Sequence, residues 1–230
     1  MSHWEQLADD VALLQFPLRA FGIDFQRNVT LLRLRDGRLV IHSTAPFESE
    51  DVAEIARFGQ PTWLVDVTLM HDTFAKAAHT AFAGLTYLAP AGFSKASGLA
   101  TELLSPAPND WAGEIDVIAI DGLRYVGEHA LFHRASGTLV LGDLLFHFSP
   151  ETRGWPHFFA RHIMRLPRLV GISAFFRLAI RDKQLFAASL RRVFEYDFQR
   201  IVVAHGRPIK QDARTILTRA LRERELLTER

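Results

Sequence analysis

Two separate stretches of this 230-residue chain carry paired runs of aliphatic and β-branched residues around a turn, each followed by segments with helical spacing. In the first, residues 28–34 and 38–42 flank Asp36-Gly37. Gly at the second position of such a dipeptide admits the positive φ of a tight hairpin, so an antiparallel pair is predicted. Val52, Ile55, Ala56 and Phe58 then recur at helical spacing behind Ser49, a residue that can cap a helix, and Gly59 and Pro61 end that segment. A strand at 62–67, a helix at 73–82 and a strand at 85–88 complete an order of ββαβαβ.

The second stretch repeats the plan with different connections. Strands are predicted at 115–120, 128–133 and 138–145, the last two joined by Ala135-Ser136-Gly137. Helices follow at 155–165, 169–181 and 183–194, then a strand at 200–204 and a closing helix at 211–229. Between the halves, residues 90–109 are rich in Pro, Gly and Ser and read as a loop with one helical turn. Two sheets that each carry helices bury their apolar faces best against one another. An α/β protein is therefore expected, as a four-layer αββα sandwich. With 48% hydrophobic residues the chain can form it as a single domain over 1–230, with a helical insertion at 155–194.

Several chemistries are excluded by what is missing. The chain has no cysteine, which removes disulfides, thiolate zinc sites and cysteine nucleophiles, and leaves His and carboxylates as metal ligands. Lys and Arg number 27 against 26 Asp and Glu, so no overall charge favours nucleic acid. Glu5, Asp9 and Asp10 stand where a secretory signal would be basic and apolar, and a cytoplasmic location is expected. Arg161, Arg165, Arg168 and Arg177 interrupt the longest apolar region, so no transmembrane segment is expected. Neither a Gly-x-Ser-x-Gly elbow nor a glycine-rich phosphate motif occurs.

Three motifs, in order and in strand context, make roughly residues 29–208 resemble the metallo-β-lactamase superfamily. Leu139-Val140-Leu141-Gly142-Asp143 resembles the strand that ends in the superfamily's metal-binding Gly-Asp. Ile201-Val202-Val203-Ala204-His205-Gly206 resembles the strand that delivers the last histidine ligand. Thr62 to Val67 followed by Leu69-Met70-His71-Asp72 falls where the superfamily places His-x-His-x-Asp-His. Here the pattern departs: with Asp72 as the signature Asp, Thr68, Met70 and Thr73 occupy the histidine positions and His71 lies outside them. The segment 123–128 also lacks the fourth histidine, His129 being nearer to that segment's second one. In these departures the chain is similar to a divergent branch in which a strand ends near a single histidine, here His71, and a lysine, here Lys95, follows a Pro-x-Gly loop.

The resemblance implies a hydrolase acting on a small molecule through one weakly held ion. That ion would be zinc, iron or manganese, with His71, Asp143 and His205 as ligands and Asp72 orienting a water or taking its proton. The alternative is a metal-free binding or regulatory protein in which Asp143 and His205 form a hydrogen-bonded pair tying two strand ends. The residues leave both open. His129 and His133 share a strand face and His79 a helix, all with structural roles expected. Arginines at 161, 165, 168, 177 and 181, interleaved with Phe158, Phe159, Phe175 and Phe176 and no acidic residue, fit either of two roles. They could meet an anionic membrane or substrate, or else roof the site or form a homodimer contact. Leu169, Ile172, Phe176 and Ala179 are expected on one helical stripe.

Overall fold

The computed structural model describes residues 3–227. Its larger sheet has seven strands in the spatial order His3–Ala8, Val11–Phe16, Arg27–Arg33, Arg38–His42, Gln60–Val65, Thr86–Ala89 and Glu102–Leu103. The first four pair antiparallel, including the expected hairpin across Asp36-Gly37, and the rest are added parallel. The second sheet runs Ile115–Ala119, His129–His133, Thr138–Leu141, Arg200–Val203, with only the last pair parallel.

Alternation along the strands decides the layering. Val40, Trp63 and Val65 face Leu131, Val140 and Val202 across a core between the sheets. Their neighbours Leu39, Ile41 and Leu64 face outward to Ile55 and Ala78 of the helices Ser49–Phe58 and Ala75–Ala81. On the other side, Leu139, Leu141, Ile201 and Val203 pack on Phe186, Leu190, Leu217 and Leu221 of Lys183–Phe194 and Ala213–Arg222. The result is the αββα order expected from the sequence.

Differences from the expected elements have local causes. The hairpin His3–Ala8 with Val11–Phe16 is additional to them. Glu48, not Ser49, caps the first helix, exchanging bonds with Asp51 in a capping box. The expected helix at 169–181 is only Ala174–Ala179, because Ser173 caps it by accepting from the Phe176 amide at 3.1 Å. Val170–Gly171 before it is a short strand paired with Phe146–His147. Leu169, Ile172 and Phe176 are therefore all buried, but not as one helical stripe. Residues 154–163 form a turn of α-helix continued by a π-helical turn. Acidic partners absent from this segment come from the chain's end: Arg168 pairs with Glu223, and Arg177 with Glu225 at 3.6 Å. Among the described residues no helix is long and apolar enough to cross a membrane.

Candidate metal centre

Strand ends from both sheets meet at one edge of the sandwich. After Gln60–Val65 the chain turns into a 3-10 segment, Leu69–Phe74, that carries His71. Thr68, at a position where the superfamily has histidine, fixes this turn: its hydroxyl donates to the Val126 carbonyl at 2.9 Å and accepts from the Met70 amide at 3.4 Å. Asp143 follows Thr138–Leu141, and His205 follows the parallel neighbour Arg200–Val203.

Two glycines make the approach possible. A Cβ on Gly142 would lie 2.8 Å from the Glu128 carboxyl, which accepts the amides of Asp143 and Leu144 at 3.2 and 3.1 Å. Gly206 has φ +88°, and a Cβ there would lie 2.0 Å from the His147 carbonyl oxygen. Both positions demand the residue that has none.

His71 Nε2 and His205 Nε2 each stand 3.4 Å from the same oxygen, Asp143 Oδ1, and the three donor atoms lie within 4.8 Å of one another. Donors about 2.1 Å from a tetrahedral ion are about 3.4 Å apart, so the two imidazole–carboxylate spacings match those of ligands sharing one ion. The orientation of His205 points the same way. Its Nδ1 lies 2.8 Å from the Gln26 carbonyl, which can only accept, so Nδ1 carries a proton and Nε2 is the atom turned to Asp143. That contact is favourable only with a cation, a proton or a metal ion, between the two atoms. The ring is held flat against Phe146, centroids 5.5 Å apart.

Protonation suits the same role. Burial, with Arg27 adding to it, pushes His71 down to about 4, so at neutral pH it is an uncharged donor. Burial opposes the charge on Asp143, but the neighbouring His71 and His205 hold its carboxyl well below the usual carboxylate range. A neutral imidazole beside a carboxylate is the state in which these groups ligate.

Beneath the three donors lies a group of buried charges that the sequence motifs do not announce. Arg27 is 1% exposed; its Nη1 donates to Ser43 at 3.1 Å, while its Nε has no partner among the described residues. Burial lowers its pKa, and Asp66, then Asp143, are the leading charges that oppose this. Asp66 is pushed up to about 7 by burial and accepts the Tyr87 hydroxyl at 2.5 Å. Burial pushes His42 down to about 3, and neither of its nitrogens has a partner among the described residues. Glu128 is driven up to about 8 by burial first and the Asp143 charge second, while the amides of the Gly142-Asp143 turn that it accepts pull the other way. The sequence signal for Glu128 was its place one residue before the strand that pairs with Thr138–Leu141; Arg27 and Asp66 gave none.

Asp72 is not brought into the group. The segment is kinked at His71 (φ −106°, ψ 28°), and Asp72 after it is half-buried and outside the three-donor cluster. His129 Nδ1 bonds the Gly127 carbonyl, His133 Nδ1 bonds Ser136, and His79 stacks on Tyr87, in line with structural roles. Lys95 is exposed on the helix Phe93–Ser97. A cavity of about 460 Å³ opens onto Asp143 and His205, walled mainly by Phe25, Phe146, Phe159, Phe175 and Phe176.

The chain matches no family model and no curated protein. Its likeness is to solved structures. It superposes over 98% of its length on 97% of a metallo-beta-lactamase from Erythrobacter litoralis with beta mercaptoethanol in the active site, at TM-score 0.68 and 16% identity. A metallo-beta-lactamase from Pontibacter korlensis matches at TM-score 0.66 and 11% identity, covering 98% of this chain and 99% of that one. The DIM-1 metallo-beta-lactamase exposed to ceftazidime matches at 0.65 and 15%, with 97% and 96% covered. With whole-length superposition and the sheet order above, the chain has the metallo-β-lactamase fold.

Proposed function

We propose that this protein is a hydrolase that works with a single metal ion held by His71, Asp143 and His205. The observation that carries the reading is the convergence of His71 Nε2 and His205 Nε2 on one oxygen, Asp143 Oδ1, each at 3.4 Å, with the His205 ring held by its Nδ1 contact to the Gln26 carbonyl. A zinc, iron or manganese ion bound there would lower the pKa of a water ligand toward neutrality and so supply a nucleophile. This chain's residues do the rest: Glu128 fixes the turn that bears Asp143, Phe146 and Gln26 fix His205, and the aromatic wall keeps bulk water from the substrate. The names of the structural neighbours, all metallo-beta-lactamases, agree with a metal-dependent hydrolase.

One ion is favoured over two. Arg27 is a buried cation within electrostatic reach of Asp143, Asp72 and Asp66, and a second divalent ion would have to share those carboxylates with it. The same cation supports the rival reading, a metal-free binding or regulatory protein, because it gives Asp143 a counter-charge without any metal.

Element analysis and zinc or manganese titration separate the two. With three protein ligands no contact is spare, so Asp143→Ala and His205→Ala should each nearly abolish metal binding. A hundredfold excess of ion over its dissociation constant should stabilise the wild type by about 2.7 kcal/mol. Protein purified without chelator that holds no transition metal, and whose melting temperature zinc and manganese leave unchanged, is the metal-free protein instead.

A further inference from the structure

The cavity beside the three donors differs from an ordinary polar active-site cleft in what lines it. Phe21, Met70, Tyr125 and Phe175 stand on its walls with 74, 56, 81 and 57% of their surface exposed. Single exposed apolar residues are common, but four around one opening form a contiguous patch, and such patches mark binding sites. Deeper in, Phe25, Phe146, Phe159 and Phe176 continue the apolar surface down to His205 and Asp143. The volume, about 460 Å³, is that of a small-molecule site.

Charge orders the cavity along its length. Asp143 sits at the inner end, buried among the imidazoles. Arg124 lies in the lining, exposed, its backbone amide anchored to the Ala179 carbonyl at 2.8 Å and its guanidinium in no ion pair among the described residues. The wall segment that supplies Phe159, Met164 and Phe175 brings no acidic residue to the lining. A negative group is therefore repelled at the inner end and attracted at the outer one.

We propose that the cavity binds an anionic amphiphile, with its hydrocarbon or aryl body against the phenylalanines and its charged end beside Arg124. Treating this ligand as the substrate rests on the metal-centre reading, which would put the bond to be cut at the end remote from the charge; the binding itself does not. The aromatic rim alone would also suit a membrane surface, but a deep cavity with one unpaired cation in its lining fits a single molecule better.

The test is isothermal titration calorimetry of the whole chain in EDTA with decanoate, decanol and decyltrimethylammonium. Decanoate should bind at least tenfold tighter than either of the others. Arg124→Gln should weaken decanoate about tenfold and leave decanol within twofold, whereas Phe175→Ser and Tyr125→Ser, both at exposed positions that folding tolerates, should weaken the two alike. Equal affinity for decanoate and decanol, no heat with 1 mM decanoate, or an Arg124→Gln variant that binds decanoate normally would overturn the proposal. So would salt-sensitive flotation on anionic vesicles without binding of monomeric decanoate, which would assign the rim to a membrane. Because no metal is present in this assay, decanoate binding by a protein that takes up no zinc removes only the hydrolase reading, and zinc uptake without decanoate binding removes only this one.

Discussion

On the second sheet's side of the site, Glu128, the Asp143 turn and His205 are tied to backbone groups, whereas on the first sheet's side Arg27, His42, Asp66 and His71 each bury a polar atom with no hydrogen-bond partner among the described residues. The motif that survives in sequence, Gly-Asp and His-Gly, belongs to the first of these regions. On the second, Thr68 braces the turn that carries His71 and a buried arginine lies near carboxylates. One wall holds its donors through backbone bonds; the other holds His71 above buried, incompletely bonded groups. Mutations should separate the two by the kind of damage they do.

The largest effect is expected at Glu128. Glu128→Ala leaves two amide donors without their acceptor, at about 1–3 kcal/mol each, and opens a void beside Gly142, so a loss of about 4 kcal/mol should appear in chemical denaturation. Metal affinity should fall about 10- to 100-fold, as for other residues that orient a ligand from behind. Glu128→Gln, which keeps an acceptor, should lose much less. A Glu128→Ala protein within 1 kcal/mol of wild type would mean that the second wall is no better fixed than the first.

Next in size is Arg27. Arg27→Met removes a buried cation near Asp66 and Asp143 together with its bond to Ser43, and should cost about 3 kcal/mol at pH 8, above the Asp66 pKa, where that carboxylate is left charged. Adding Asp66→Asn should restore at least about 1 kcal/mol of it, since the uncompensated charge is then gone as well. Strict additivity of the two changes would show that they are not coupled.

A pH series sharpens the point. The folded pKa of Asp66, about 7, lies above its ordinary value of 3.8, so its contribution is full below pH 3.8 and is lost as pH rises through 7. His42 and His71, at about 3 and 4 in the folded state against 6.5 unfolded, act the other way: their contribution is present above pH 6.5 and lost as pH falls. Between about pH 4 and 6.5 these slopes oppose each other and flatten the wild-type profile. Asp66→Asn removes one of them, so the variant should gain about 2 kcal/mol on wild type between pH 5 and pH 7. Parallel profiles for the two proteins would show that Asp66 is ionised in the fold.

The smallest effect is expected at Asp72. Asp72→Asn should change stability by less than about 0.5 kcal/mol and metal affinity by less than threefold, because its carboxylate is outside the donor cluster. A tenfold loss of turnover with unchanged metal affinity would return Asp72 to the proton-handling role that its place beside His71 suggests.

Much of the architecture was legible in the chain. The hairpin across Asp36-Gly37, the strands at Gln60–Val65 and Thr138–Leu141 and the helix Lys183–Phe194 follow from period and turn chemistry within a few residues. The 169–181 segment was not, because Pro167, Gly171 and Ser173 each act locally against a helix while the apolar spacing imitates one. At the site, His71, Asp143 and His205 were found because the segments that carry them resemble the superfamily's strand-end motifs in order and strand context.

The sequence by itself determined that apolar strands would lead into Gly142-Asp143 and His205-Gly206, though it carried the first of them on to 145 where the fold ends it at Leu141, since alternation, turn glycines and strand propensity act over neighbouring residues. Only the tertiary structure decided what those ends would meet. The carbonyl that sets the His205 tautomer belongs to Gln26, 179 residues away, and the Asn28 side chain reaches the carbonyls of Val203 and Gly206 from the other sheet. Arg27 and Asp66 look like surface residues in the chain and are buried in the fold, Arg27 within electrostatic reach of His71 and of Asp66. Spacing along a chain fixes which face a side chain takes, but hydrogen-bond partners and charge neighbours depend on how two sheets register against each other, and that is set by packing across the whole sandwich.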